Sequence, residues 1–212
     1  MSDTHIVIVG TGAEARIAAD IFTAMDIVVL GYLETDRERN IRDLNDINVF
    51  AHYEDEEASV VLKDKNIQFF VASGEIENRI KFFEKVAKGA KRPSTNALHP
   101  MSWRSPYSAI GFGNLFNAAS VVNPNSVIGD MNFFHSGVTV ETDVTIGNYC
   151  NFNSGVKIGA NVQIEDEVFI GTGAVIHPGI KIGKGCLIGA GSVVLKSVEA
   201  GKRVFGNPAQ VL

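Results

Sequence analysis

The sequence predicts two joined folds: an α/β domain over residues 1–92 and an all-β parallel β-helix over residues 93–212. Three observations carry this. From Ile110 to Val193 the chain divides without a break into fourteen six-residue units. Before them, short apolar runs alternate with amphipathic stretches, starting from a glycine-rich turn at residues 10–12. Between the two parts, residues 92–96 (RPSTN) read as a linker.

The repeat decides the second fold. The first position of each unit is Ile, Val or Phe in all fourteen, and the second is Gly in seven. The fifth is small or β-branched at Ser120, Ser126, Val138, Val144, Cys150, Val156, Val162, Val168, Ala174, Cys186 and Ser192. A helix requires apolar recurrence near 3.6 residues and a half-buried strand alternates with period 2, so period six fits neither. It fits short strands that form the faces of a coil, with glycine or a polar residue at each corner. Three faces of six residues give about eighteen residues per coil and roughly four to five coils. Cys150 and Cys186 fall at position five, as small buried core residues rather than nucleophiles or ligands. With no CxxC spacing, they make neither a disulfide framework nor a zinc site.

Residues 5–10 (HIVIVG) form a buried strand, and GTGAEARIAADIFTAM follows with helical apolar spacing. Gly10-x-Gly12-x-x-Ala15 resembles a dinucleotide-type turn, in which glycines let the backbone approach a phosphate at a helix N-terminus. A strand-to-helix turn also needs glycine for its geometry alone. The next strand, IVVLGYLETD, ends in Glu34, Thr35 and Asp36. These lie about twenty residues after the turn, where such folds place groups that hydrogen-bond a nucleoside; surface acids after a strand are the alternative. Residues 47–50 and 67–73 give two more strands. GEIENRIKFFEKVAKGAK gives an amphipathic helix ending at Gly89, with a basic cluster that suits its C-terminal dipole. Strands alternating with helices predict a parallel α/β unit of Rossmann type.

Composition narrows the function. Apolar residues make 45% and charged residues 20%, as in ordinary globular proteins. A net charge of −5 with no basic stretch excludes a broad nucleic-acid footprint. No apolar run approaches the roughly 20 residues that span a bilayer, and the N-terminus has no secretory pattern. The expected location is cytoplasmic, with no metal and no membrane partner.

The order of motifs resembles one family. A glycine-turn α/β domain precedes Leu98-His99-Pro100, and the β-helix ends in Phe205-Gly206-Asn207-Pro208-Ala209. This is similar to the sugar acetyltransferases related to the sialic-acid O-acetyltransferases and the N-acetyltransferase of the bacillosamine pathway. The resemblance spans essentially the whole chain. It implies a left-handed β-helix, a homotrimer with active sites between subunits, acetyl-CoA along the β-helix, and a nucleotide-sugar on the N-terminal domain. Carried over by position, Gly10, Thr11, Gly12, Ala13 and Glu14, with Glu34, Thr35 and Asp36, would contact the nucleotide. Glu14 stands where many relatives have His. Asn151, Ala160, Thr172 and Ala190 sit where relatives touch the pantetheine arm and thioester. Such a chain would acetylate the amine of a UDP-linked deoxyamino sugar for bacterial surface glycans such as lipopolysaccharide.

One departure bears on mechanism. In these relatives the unit matching VETDVT carries a His-Asp pair whose His is the catalytic base; here Thr142 holds that position and Asp143 its partner's. A threonine hydroxyl cannot take up a proton near neutral pH, whereas imidazole can. Three explanations stand side by side. His135, seven residues earlier, is the relocated base or orients the reactants, which would allow O-acetylation of a sialic-acid-like sugar. Alternatively no protein base is needed, because a free amine is already nucleophilic, with water or Asp143 collecting the proton. Or the protein is a catalytically inactive nucleotide-sugar scaffold. Among the other histidines, His177 reaches the coenzyme or faces solvent, and His99 belongs to the domain junction.

Overall fold

The computed structural model describes residues 4–39 and 41–212. These divide into two compact units, Met1–Pro100 and Met101–Leu212. The division falls at 100/101 rather than 92/93 because the expected linker is tied to the first unit. The Thr95 N–H donates to the Phe69 carbonyl at 2.9 Å, and Arg92 Nη1 donates to the Leu62 carbonyl at 2.9 Å.

In the first unit the sheet is β1 (His5–Val9), β2 (Val28–Glu34), β3 (Asp43–Leu44), β4 (Ile47–His52) and β5 (Ile67–Val71). The strand order is β3-β4-β2-β1-β5, all parallel except the edge pair β3–β4. The interior strand β1, between β2 and β5, is buried from Ile6 to Val9, which is why it reads as an unbroken apolar run rather than an alternation. Helix α1 (Ala13–Ala24) packs Ala15, Ala18, Ala19, Ile21 and Phe22 inward, and Phe22 meets Phe70 edge-on at 5.7 Å. Helix α2 (Glu56–Lys63) has no counterpart in the sequence reading. At eight residues it buries only Ala58 and Leu62, too little to stand out as a period, though Asp55 precedes it and Glu56 and Glu57 fill its first turn. Helix α3 (Ile76–Ala90) runs through Gly89, and its left-handed end residue is Lys91 at φ 52°.

The second unit is a parallel β-helix of two-residue rungs on three faces. Each rung pairs with the one 18 residues on, as Val121 with Thr139 and Val127 with Thr145. The first face runs from Trp103–Arg104 to Val193–Val194, the second from Ala109–Ile110 to Lys181–Ile182. The third rises from Leu115–Phe116 through Leu187–Ile188 to Arg203–Phe205, closed by antiparallel Gln210–Val211. Position-one residues stack inside, and Phe116, Phe134 and Phe152 form a column with ring centroids 4.5 and 4.7 Å apart.

Two side-chain ladders seal the corners. At position five, Asn114, Asn132 and Cys150 follow one another a coil apart, and each donates to a carbonyl 15 residues on: Gly129, Gly147 and Glu165. The Asn side chains also accept, from the Asn132 and Cys150 N–H at 2.8 Å. Buried amides are stable here because both their ends are satisfied. At position three, Asp130, Asn148 and Asp166 accept the N–H of the residue one coil before. A Cβ at Gly111 would stand 2.0 Å from Asp130 Oδ1, and one at Gly147 2.3 Å from Asp166 Oδ1. The recurrent glycine of the second position therefore serves close approach between coils. The strained backbone lies two residues further on: the fourth residue of every unit, from Gly113 to Gly191, takes φ between 58° and 76°.

Candidate active site

The first unit brings the turn after β1 against the end of β2. Gly10, at φ 118°, is fixed by geometry: a Cβ there would lie 2.4 Å from the Ala72 carbonyl oxygen. Gly12 caps α1, and Ala13 and Glu14 open it. The Thr11 hydroxyl donates to both Glu34 carboxylate oxygens, at 3.0 and 2.9 Å, and both residues are buried. Glu34 also accepts the N–H of Thr35 at 2.7 Å and of Asp36 at 3.1 Å. Its carboxylate thus staples the glycine turn to the β2 exit, and the exposed carboxylate of this group is Asp36, which faces Arg39 at 3.8 Å. Glu14 arches over the loop after β5, where a Cβ on Gly74 would meet Glu14 Oε1 at 2.4 Å. Below Asp36, a depression of about 240 Å³ is bounded by Arg37, Phe50 and His52.

In the β-helix the candidate residues divide between corners. His135 follows the Phe133–Phe134 rung and Thr142 follows the Thr139–Val140 rung, so the two stand at opposite ends of one first-face strand. Thr142 and Asp143 share a corner with Ala160, whereas Thr172 and Ala190 lie on the His135 corner, and Asn151 is a buried third-face residue. A single chain does not gather this set into one cluster. Asp143 sits at φ 59°, the left-handed geometry that every fourth position takes and that Asp tolerates. Asn125 donates to it at 3.1 Å, and Asn123 donates likewise to Glu141. Asp143 is therefore accounted for by the corner without any partner imidazole. Beside it, a trough of about 230 Å³ runs over Glu141, Gly159, His177 and Leu195. His177 is exposed, with Nδ1 3.0 Å from the Pro178 carbonyl oxygen. Sequence reasoning passed over Glu141, whose only signal was its place directly before Thr142.

Neither cysteine belongs to the site. Cys150 and Cys186 are buried, and burial pushes the Cys186 thiol up from its ordinary value. Among the described residues no group of three His, Cys, Asp or Glu could hold a metal ion, and no helix is long and apolar enough to cross a membrane.

Residues 125–160 and 161–196 match the bacterial transferase hexapeptide family (six repeats). A comparison with curated proteins gives no match. Solved structures match from end to end. A histidine-to-alanine mutant of GDP-perosamine N-acetyltransferase from Caulobacter crescentus, in complex with CoA and GDP-perosamine, is 27% identical at a TM-score of 0.90, covering 98% of this chain and 96% of that one. The acetyltransferase domain of PglB from Neisseria gonorrhoeae is 25% identical at 0.87, covering 99% and 100%. WeeI from Acinetobacter baumannii is 26% identical at 0.85, with 99% and 100% covered. The second unit is thus a left-handed β-helix of the bacterial hexapeptide transferase type. The chain as a whole, similar throughout its length to sugar N-acetyltransferases, is an acetyltransferase.

Proposed function

We propose that this protein transfers the acetyl group of acetyl-CoA to the amine of a nucleotide-linked deoxyamino sugar, and does so without a histidine at the Thr142 position. The observation that carries this reading is the end-to-end likeness to a GDP-perosamine N-acetyltransferase in complex with CoA and its sugar nucleotide. A second neighbour is in complex with acetyl coenzyme A. The turn of Gly10, Thr11, Gly12, Ala13 and Glu14 and the exit of β2 at Thr35 and Asp36 hold the nucleotide, with Glu34 fixing the two relative to each other. Asn151, Ala160, Thr172 and Ala190 line the path of the coenzyme. A threefold assembly would let the His135 corner of one subunit meet the Thr142 corner of the next.

The chemistry favours an amine acceptor. Its lone pair attacks the thioester carbonyl, the tetrahedral oxyanion collapses, and the CoA thiolate leaves. A hydroxyl must lose its proton during attack and needs a base. An amine with electron-withdrawing neighbours has a pKa of about 7.7–8.0, so a useful fraction is neutral at pH 7. Its proton leaves after attack, to water or Asp143, and catalysis rests on positioning and on stabilising the oxyanion.

The test is CoA thiol release from acetyl-CoA with 4-amino-4,6-dideoxy sugars and their 4-hydroxy counterparts. Each is supplied as the UDP and the GDP derivative, since the family resemblance points to uridine and the Caulobacter neighbour is in complex with GDP-perosamine. Turnover on amines alone, retained in His135→Ala, is the expected result. Turnover on hydroxyl sugars, abolished by His135→Ala, would make the protein an O-acetyltransferase. Nucleotide-sugar binding without thiol release from any acceptor would leave a binding scaffold.

A further inference from the structure

The basic cluster at the end of α3 borders a cavity at the opposite edge of the sheet from the Gly10 turn. This cavity, of about 460 Å³, is bounded by Lys63, Lys65, Gly89, Ala90, Lys91 and Arg92. Lys65 precedes β5, whereas Ala72, which the Gly10 turn approaches, follows it. The five residues of the strand separate the cavity from the turn by about 16 Å. Arg92 belongs to the frame. Its guanidinium donates to the Leu62 and Ala90 carbonyls at 2.9 and 3.3 Å and to the Ile67 carbonyl, and it lies 5.6 Å from the centre of the Phe69 ring. It thereby serves the ends of both α2 and α3. Lys63, Lys65 and Lys91 are exposed, and among the described residues none of them is in an ion pair. Lys85, one turn and a half earlier on α3, is held by Glu54.

We propose that this cavity binds a dianionic phosphate, as the free ion or as the monoester of a small molecule, on the three lysines 63, 65 and 91. The site is independent of the acetyl-transfer reading and lies apart from the residues assigned to it. Charge supports it. Each helix C-terminus presents about half a negative charge, so Arg92 offsets the ends of α2 and α3 together. Asp64, whose carboxylate accepts the Asn66 N–H at 2.9 Å, offsets one lysine. About two positive charges remain, on a chain whose net charge is −5, and a phosphate monoester carries about −1.5 to −2 near pH 7. The type of cation supports it too. Arginine presents a planar fork that matches a carboxylate, whereas lysine ammonium groups are point charges with rotatable donors, able to reach a tetrahedral anion from several sides. Size leaves room for an organic part. The volume falls within the roughly 300–1,000 Å³ of small-molecule sites. Ala90 is buried beside it, and a Cβ on Gly89 would meet nothing within 4 Å.

The experiment is calorimetric titration of the full chain with inorganic phosphate and, separately, with glucose 6-phosphate. It compares wild type, Lys63→Gln, Lys65→Gln, Lys91→Gln and Gly89→Phe with Lys81→Gln, an exposed α3 lysine outside the cavity. Wild type should bind at least one of the two with a Kd of about 1 mM or below. Each cavity lysine variant should bind about tenfold more weakly, the scale of one lost hydrogen bond to a charged group. Gly89→Phe fills the cavity without altering a charge and should abolish binding of the ester, while Lys81→Gln should bind as wild type. Because all the substituted residues are exposed, unchanged melting by circular dichroism shows that the variants are folded. Weakening seen with the ester assigns the site to an organic phosphate, and weakening seen with inorganic phosphate alone assigns it to the free ion. No saturable binding of either probe would overturn the proposal, as would equal affinity in wild type and the cavity variants. An equal loss in Lys81→Gln would also overturn it, since that outcome reports a diffuse field and not a site.

Discussion

The left-handed fourth position of each repeat unit allows one conformational term to be measured in both directions. Ala119 is exposed and held at φ 58°, and its N–H bond to the Met101 carbonyl survives substitution. Gly185 is exposed at φ 66°, and a Cβ there would meet nothing within 4 Å. Ala119→Gly and Gly185→Ala are therefore the same chemical change run in opposite senses, with almost no packing involved. The left-handed region costs an L-residue about 1–2 kcal/mol. Against this, glycine gives the unfolded chain more freedom, by about 0.4–1 kcal/mol. The difference leaves Ala119→Gly stabilising by about 0.5–1 kcal/mol and Gly185→Ala destabilising by the same, roughly 2–4 °C in Tm per kcal/mol at this chain length. The sites lie nearly four coils apart, about 18 Å, so the double variant should return close to wild type. Differential scanning calorimetry reads all three. Shifts of the same sign for the two single variants would refute the claim that backbone geometry, rather than side-chain contact, sets the fourth position.

Further expectations follow from the ladders and the charged corners. Asn132→Ala strands the Cys150 N–H and the Gly147 carbonyl in the interior, and urea unfolding should show a loss of about 2–5 kcal/mol; a loss under 1 kcal/mol would mean that the ladder is dispensable. Cys150 and Cys186 should stay silent to a thiol reagent in the native protein and both react in denaturant, so CoA release can be followed without a protein background. Lys181 and the Lys184 N–H hold the Glu165 carboxyl below its ordinary value. Because the folded value is the lower one, its contribution is present above the unfolded carboxylate range and lost as pH falls through the folded value. Glu165→Gln should make stability less sensitive to acid; an unchanged acid limb would remove Glu165 from that account.

Much of the fold was legible because its strongest constraint repeats. Bulky residues must stack every six positions, and the eye needs only one column of Ile, Val and Phe to see it. Asn114 and Asn132 break the small-residue pattern of position five and were passed over, since an isolated Asn carries no sign that the next coil will satisfy it. The left-handed fourth position was hidden more deeply. Tyr149, Glu167 and Met131 occupy it as well as glycine, and only backbone geometry unites them. In the α/β unit, Glu34 ends a strand at the distance from the turn where a nucleoside ligand is expected. The same distance lets it reach Thr11. His135 and Thr142 were not brought together from sequence because residues seven apart fall on different corners of the coil.

The uniform step of the coil also limits how this protein can change length. Each Asp130-type or Asn132-type side chain bonds to a group one coil away, so the molecule is written in lines of eighteen letters that must stay aligned above one another. A deletion of one whole line leaves every column intact and shortens the prism by a single storey of about 4.8 Å. A deletion of any other size misaligns all the columns beyond it. Insertions are tolerated only as loops bulging from a corner, where they add surface without shifting the text beneath.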